Sequence, residues 1–342
     1  MTRSEITVDL RALRRNVGRL REAAAPAELW AVVKADAYGH GALDVAPAAL
    51  EAGASALCVA TAAEGEELRR AMPTARIIVL GPLLAGEEEL ARQARLEVSA
   101  STPELPPRLP VHVKVDTGMG RYGMGEGELA TIDPAAIAGV MSHLATADDA
   151  GAGATRAQLD RFRAAADRFP EAIRHVANSA ATLRLPAARF DAVRCGIALY
   201  GLSPFGGDPR ADRLTPVLAW RSHIALVKSL QAGESTGYGR RFIADRETRI
   251  GIVPVGYGDG FRRGLTGAEV LVGGERRRIL GTVSMDSFAV ALPEGEVGDT
   301  VTLIGDGLDA EELARRLGTI NYEVTTSIRS DPRRSVRNVV DG

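Results

Sequence analysis

The sequence predicts a (β/α)8 barrel of the TIM type followed by a mainly β C-terminal domain. Eight short apolar runs alternate with helix-period stretches across the first two thirds of the chain. From about Thr215 the pattern changes to strands broken by glycine-rich turns. At 342 residues the chain also exceeds the usual size of a single hydrophobic core, so two domains are expected.

The barrel strands are read at Leu29–Val33, Ala56–Val59, Ile77–Leu80, Leu96–Val98, Val111–Val115, Ala138–Ser142, Arg174–Ala177 and Asp191–Arg194. Helical periodicity lies between many of them, at Ala42–Ala52, Glu64–Ala71, Glu87–Arg95 and Arg156–Phe169. A doubly wound open sheet would give the same alternation and is the rival on pattern alone. Ser203–Asp212, rich in Gly, Pro and Asp, reads as the linker. Beyond it, strands are expected at Trp220–Leu230, Arg249–Val255, Glu269–Val272, Glu275–Leu280, Phe288–Leu292 and Thr300–Ile304, with one clear helix at Ala310–Leu317.

Composition narrows the function. A formal charge of -2 gives no reason to expect nucleic acid or an anionic membrane as partner. Cys58 and Cys195 cannot build a disulfide framework, which suits a reducing compartment. The segment Met1–Leu10 has no apolar core of a signal peptide, and no apolar run approaches the ~20 residues that span a bilayer, so the cytoplasm is expected. The histidines (His40, His112, His143, His175, His223) show no paired zinc-ligand spacing, and no metal is expected. No P-loop or dinucleotide fingerprint occurs between a strand and a helix. The 42 basic residues include only three lysines, Lys34, Lys114 and Lys228. Arginine cannot form a Schiff base, so side-chain imine chemistry has three candidates.

In a barrel of this type, chemistry sits at the C-terminal ends of the strands. Lys34 directly follows the first run. Lys114 and Asp116 end the fifth, before the loop Thr117–Gly123 that carries Arg121. His143 ends the sixth, Asn178 and Ser179 the seventh, and Arg194 the eighth. Taken singly, each has a plainer reading. A strand-end lysine is usually a solvated charge, His143 a satisfied core histidine, and Arg194 an ion-pair partner of Asp191 or another carboxylate. Asn178-Ser179 reads as a plain cap of the helix that follows, although capping and phosphate binding use the same helix terminus. Gly196-Ile197 would supply backbone N–H groups to a phosphate, as loops after the last two barrel strands commonly do. Lys228, inside a strand of the second domain, reads as a structural or edge charge.

The segment Lys-Ala-Asp-Ala-Tyr-Gly-His-Gly (34–41), followed in order by Lys114–Gly123, His143–Asp148, Asn178-Ser179, Arg194–Gly201, Gly237–Gly239, Val-Gly-Tyr-Gly-Asp-Gly (255–260) and Ser284–Asp286, resembles the alanine racemases over nearly the whole chain. The resemblance implies a barrel at residues 10–212 that binds pyridoxal 5'-phosphate. It also implies a β domain at 213–342, joined by an N-terminal strand near Thr2–Asp9 (residues 1–9), and a head-to-tail homodimer. It further implies interconversion of L- and D-alanine by two bases. Lys34 would hold the cofactor as an internal aldimine and act on one face of the substrate. Tyr238, from the partner subunit, would act on the other.

By the same resemblance Tyr38, Ser179, Gly196 and Ile197 match the phosphate anchors, with Asn178 beside them. Arg194 matches the arginine facing the pyridine nitrogen, with His143 close by, which implies an unprotonated ring and little transamination. Arg121 and Met285 match the groups that hold the substrate carboxylate, and Tyr257 and Arg263 the channel into the site. Lys114 matches a lysine that is carbamylated in some members. Two departures stand out. Gly258 occupies a position often held by alanine, with no chemical consequence expected. Ser327–Arg333 lacks a tyrosine that frequently helps bind the phosphate or narrows the entrance, so a neighbouring group or water would replace it. Rival readings are a serine-type or broad-specificity racemase, a non-catalytic pyridoxal-phosphate barrel and a related decarboxylase. The β domain bearing Tyr238 speaks against the second of these.

Overall fold

The computed structural model describes residues 2–149 and 153–341. They form two compact units, Leu13–Thr215 and Met1–Ala12 with Pro216–Gly342. The chain begins with β1 (Ser4–Asp9), which runs into the helix Leu10–Ala24.

In the first unit, eight strands close into a parallel barrel. They are β2 (Glu28–Val32), β3 (Ala56–Val59), β4 (Ile77–Val79), β5 (Glu97–Ala100), β6 (Val111–Lys114), β7 (Gly139–Met141), β8 (Ile173–His175) and β9 (Ala192–Cys195). β9 returns to β2 with Glu28 opposite Ala192, which closes the ring and removes the open-sheet alternative. Every residue of β3, β4, β6, β7 and β9 is buried, because helices cover one face and the barrel interior the other. That double burial is why the strands read as unbroken apolar runs.

The crossover helices Ala42–Glu51, Ala62–Ala71, Glu87–Gln93 and Gly153–Ala166 fall where the periodicity placed them, within a few residues at each end. The second starts with a capping box, in which Thr61 accepts from the Glu64 amide and Glu64 accepts from the Thr61 amide.

The second unit is built on a nine-stranded sheet. In chain order its strands after β1 are β10 (Leu218–His223), β11 (Leu226–Leu230), β14 (Thr248–Val253), β15 (Glu269–Val272), β16 (Glu275–Leu280), β17 (Phe288–Ala291), β18 (Thr300–Ile304) and β19 (Ser335–Val340). A two-residue pair, β12 (Ser235–Thr236) with β13 (Phe242–Ile243), stands beside it. β1 lies between β10 and β19, antiparallel to the former and parallel to the latter.

The single strand expected at Trp220–Leu230 is two. The Ile224 amide turns to Asp299 O and the Ala225 amide to Ile252 O, so the chain leaves β18 and joins β14. A second helix, Asn321–Thr326, follows Ala310–Leu317, where the sequence suggested only one. Lys228 is exposed on β11, the edge strand of the sheet, where a charge discourages pairing with another chain.

Candidate active site

Lys34 sits two residues beyond β2, at the C-terminal mouth of the barrel. The backbone that follows is unusual. Ala35, Asp36, Ala37 and Tyr38 have φ of 52, 50, 53 and 56°, a full turn of left-handed helix without a glycine. Each such residue costs about 1–2 kcal/mol, so the surroundings must impose the turn. They do so with several bonds. Glu64 Oε1 accepts from the Ala35 amide at 2.8 Å, Asp36 Oδ1 from the Ala42 amide at 2.8 Å, and Val33 O from the Ala37 amide at 2.9 Å. His40, fully buried, donates from Nδ1 to the Ala37 and Tyr38 carbonyls and stacks on Tyr200 at 4.4 Å. The Tyr200 hydroxyl in turn donates to Val32 O at the end of β2.

Positive charge gathers at this mouth. Lys114, at the end of β6, is 6% exposed; its Nζ donates to Leu80 O at 3.2 Å and lies 5.1 Å from the Tyr122 ring centre. Burial, reinforced by Arg194, Arg121 and Lys34, pulls its pKa down to about 8. Lys34 is lowered by burial and by Arg121 and Arg194, against an upward pull from Glu64. His143 is pushed down to about 3 by burial and then by the same cations. It is therefore neutral at any ordinary pH. Asp116, the nearby carboxylate, accepts from the Gly118, Met119 and Gly120 amides and so holds the loop that carries Arg121. A site with this much uncompensated positive charge is built for an anion.

Arg194 is 4% exposed and does not pair with Asp191, which Arg174 takes in a two-point bridge at 2.9 and 3.0 Å. Its NH1 instead donates to His175 Nδ1 and His175 O, both at 2.7 Å, and its NH2 to Ser142 O at 2.7 Å and Val176 O at 3.3 Å. Burial lowers its pKa to about 10, still well above neutral.

Between the seventh and eighth barrel strands and the turns after them lies a cup of hydroxyl and amide groups. Asn178 caps the helix Ser179–Arg184, its side chain accepting from the Ala181 amide at 3.0 Å. Ser179 Oγ accepts from the Gly196 and Ala198 amides at 3.1 and 3.4 Å. Ile197 begins the short turn Ile197–Tyr200 and is buried. Gly196 is required here by space, since a Cβ would stand 2.4 Å from the Tyr38 hydroxyl. The Tyr38 and Ser179 hydroxyls thus flank one stretch of backbone, as an anchored phosphate group would need.

In the β unit, Tyr238 is 72% exposed, Met285 53% and Tyr257 40%, and Arg263 is exposed as well. Three adjoining loops carry the first three. Thr282 donates its hydroxyl to Tyr238 O at 2.8 Å, and the Tyr257 and Gly258 amides bond Ser284 O and Met285 O. Asp259, 1% exposed, accepts from the Gly256 amide and from Arg334, which also reaches Asp286 at 2.8 Å. Ser327–Arg333, the stretch without a tyrosine, packs on the same loop through Ser327 Oγ to Gly260 O and the Arg329 amide to Asp259 O.

Among the described residues no group of three or more His, Cys, Asp or Glu is arranged to hold a metal, and no helix is long and apolar enough to cross a membrane.

Residues 8–204 match the alanine racemase N-terminal domain and residues 217–336 the alanine racemase C-terminal domain. The chain belongs to the alanine racemase family. Family members are isomerases that depend on pyridoxal phosphate. The alanine racemase of Symbiobacterium thermophilum is 42% identical over 94% of this chain and 93% of its own length. The crystal structure of the alanine racemase from D-cycloserine-producing Streptomyces lavendulae superposes with a TM-score of 0.94 at 38% identity, covering 100% of this chain and 98% of that one. The alanine racemase of Bartonella henselae, solved with covalently bound pyridoxal phosphate, gives a TM-score of 0.90 at 30% identity over 99% of this chain and 100% of that one.

Within this alanine racemase fold, two residues that sequence reasoning passed over lie directly beneath the site. His112 and His175 fill the barrel interior below Arg194. The signal was present in Val-His-Val-Lys-Val (111–115), where His112 shares the inward face with Lys114.

Proposed function

We propose that this chain interconverts L- and D-alanine by two-base proton exchange with the help of pyridoxal 5'-phosphate, which Lys34 would hold between turnovers and release to the substrate amine. The observation that carries the reading is the convergence of Lys34, Lys114, Arg121, Arg194 and neutral His143 on one barrel mouth, next to the Tyr38, Ser179 and Gly196 cup. A dianionic phosphate and a substrate carboxylate fit that charge, and the lowered pKa of Lys34 fits an amine that must be free to react.

When bound, the cofactor supplies an electron sink for the pair left as the Cα–H bond breaks. Tyr38, Ser179 and the backbone near Gly196 and Ile197 would hold its phosphate, with Asn178 fixing the helix from which Ser179 projects. Arg194 would face the ring nitrogen. Its pKa of about 10 keeps the guanidinium charged, so it would donate a hydrogen bond there without yielding the proton. His143, uncharged, packs beside it. Lys34 Nζ takes or returns the α-proton on one face. Tyr238 Oη does the same on the other, and inversion needs both.

The domain at residues 10–212 holds the cofactor. The domain at 213–342 with 1–9 presents Tyr238, Met285, Tyr257 and Arg263 to the site of a partner subunit. The marked exposure of Tyr238, Met285 and Tyr257 supports such a homodimer. Arg121 and Met285 take the substrate carboxylate, and Tyr257 with Arg263 lines the way in. Lys114, with a pKa near 8 and cations for neighbours, is proposed to react with carbon dioxide and become an anionic carbamate that orients Arg121. The free, buried Cys58 and Cys195, both pushed up to about 12 by burial, fit a reducing compartment such as the cytoplasm.

The test is the optical rotation of L-alanine over time, with and without added pyridoxal phosphate. Lys34→Ala is expected to lose the visible absorption of the imine and the racemisation together. Racemisation that survives in Lys34→Ala would overturn the assignment. Rates on L-serine and L-lysine beside L-alanine decide between an alanine-selective and a broader racemase.

A further inference from the structure

A line of polar side chains runs through the barrel interior from its N-terminal rim to Arg194. At the rim, Arg76 holds Glu97 at two points, Nε to Oε1 at 2.7 Å and NH2 to Oε2 at 2.8 Å. Glu97 Oε2 lies 2.8 Å from His112 Nε2, His112 Nδ1 lies 2.8 Å from His175 Nε2, and His175 Nδ1 lies 2.7 Å from Arg194 NH1. Both imidazoles are fully buried.

The direction of every hydrogen bond follows from one end. A guanidinium only donates, so His175 Nδ1 accepts. Neutral His175 then carries its proton on Nε2 and donates it to His112 Nδ1. His112 is left with its proton on Nε2, aimed at the Glu97 carboxylate. All links run the same way, from a cation at the mouth to an anion at the rim. Gly139 makes room for the middle link, since a Cβ there would stand 2.2 Å from His112 Nδ1. Four acceptors meet the terminal nitrogens of Arg194, which leaves Nε–H as the donor they do not engage.

Hydrogen bonds in series polarise one another where water is excluded. The carboxylate draws on the His112 N–H, which enriches His112 Nδ1, then His175 Nδ1, and so spreads the Arg194 charge down the line. We propose that Glu97, His112 and His175 are positioning residues that fix the Arg194 guanidinium and draw part of its charge away from the cofactor ring, confining the reaction to proton exchange. The proposal rests on the reading of Arg194 as the partner of the ring nitrogen.

The reaction to be suppressed is amino-group transfer. Alanine and the cofactor aldehyde give pyruvate and the aminomethyl cofactor. The Cα–N bond of alanine breaks, the nitrogen ends on the former aldehyde carbon, and the aldehyde oxygen is exchanged for that nitrogen. Two electrons pass from alanine to the cofactor.

Glu97→Gln keeps an oxygen for His112 and removes the charge. Gly139→Ala pushes a carbon into the His112–His175 link and touches no charge. Two measurements on the full-length protein decide. The first is pyruvate released per alanine racemised, with pyridoxal phosphate saturating; both variants are expected to raise it about tenfold. The second is the 15N resonances of the histidine rings, with and without the cofactor. Wild type is expected to show His112 and His175 as Nε2–H forms, and Glu97→Gln to move the His175 Nδ1 signal although the two side chains do not touch. An unmoved His175 signal in Glu97→Gln, or a pyruvate ratio within twofold of wild type in both variants, overturns the relay. Either result leaves the site itself standing, because that assignment is decided separately by Lys34→Ala.

Discussion

The Tyr38 hydroxyl lies 2.4 Å from where a Cβ on residue 196 would stand, so the phenol and the backbone of Gly196 meet only because that residue has no side chain. Gly196→Ala must push the Tyr38 ring outward. It is expected to weaken pyridoxal-phosphate binding about 10–100-fold, the loss of one or two good hydrogen bonds. Titrating cofactor into the stripped protein and following its absorption measures this directly.

Tyr238 projects into open space from its own unit, at 72% exposure. Tyr238→Phe therefore leaves folding unchanged, within about 0.5 kcal/mol. If its hydroxyl moves the second proton, racemisation falls about 10²–10⁴-fold while the imine absorption stays. The two readouts together separate a proton carrier from a packing residue.

Arg334 neutralises Asp259, which is 1% exposed, and ties its loop to Asp286. Arg334→Met strands a buried carboxylate and is expected to cost about 3 kcal/mol in denaturant unfolding. The loops it joins carry Tyr257 and Met285, so KM for alanine is expected to rise more than kcat falls.

Lys114 gives a pH signature. Its folded pKa, about 8, lies below the ordinary lysine value of 10.5, so the unfolded chain binds this proton more tightly. The group destabilises the fold fully below pH 8 and ceases to do so as the pH rises past 10.5. In carbon-dioxide-free buffer, stability is expected to climb across that window by about 3 kcal/mol, and Lys114→Met to flatten the climb. With 13C-bicarbonate present, a carbamate resonance in wild type that is missing in Lys114→Met would identify the modified amine.

The barrel was legible because its strands are buried on both faces. Ala56–Val59 reads as a strand in the sequence and is one to the residue. What escaped notice was short or half exposed. β12 and β13 span two residues each, and β19 carries Arg337 and Asn338 among its valines. Tyr38, Tyr238, Tyr257, Arg263 and Met285 came from the resemblance alone, whereas Lys34, Lys114, His143 and Arg194 were legible as polar groups at strand ends. His112 and His175 were not, because a polar side chain inside a closed barrel has no local mark except alternation with its apolar neighbours. The left-handed turn at 35–38 was invisible for a different reason. Ala and Tyr have no preference for it and Asp only a slight one, and tertiary bonds such as those to Glu64 and His40 hold it in place.

That turn reverses an ordinary rule of protein engineering. Elsewhere a glycine in place of alanine loosens a chain, yet at position 35, exposed and at φ 52°, it would release a steric cost that alanine now bears. Ala35→Gly is expected to raise the melting temperature or leave it level, where the same exchange in the helix Ala62–Ala71 lowers it. Lys34 is thus followed directly by the part of the backbone least at ease with its own shape.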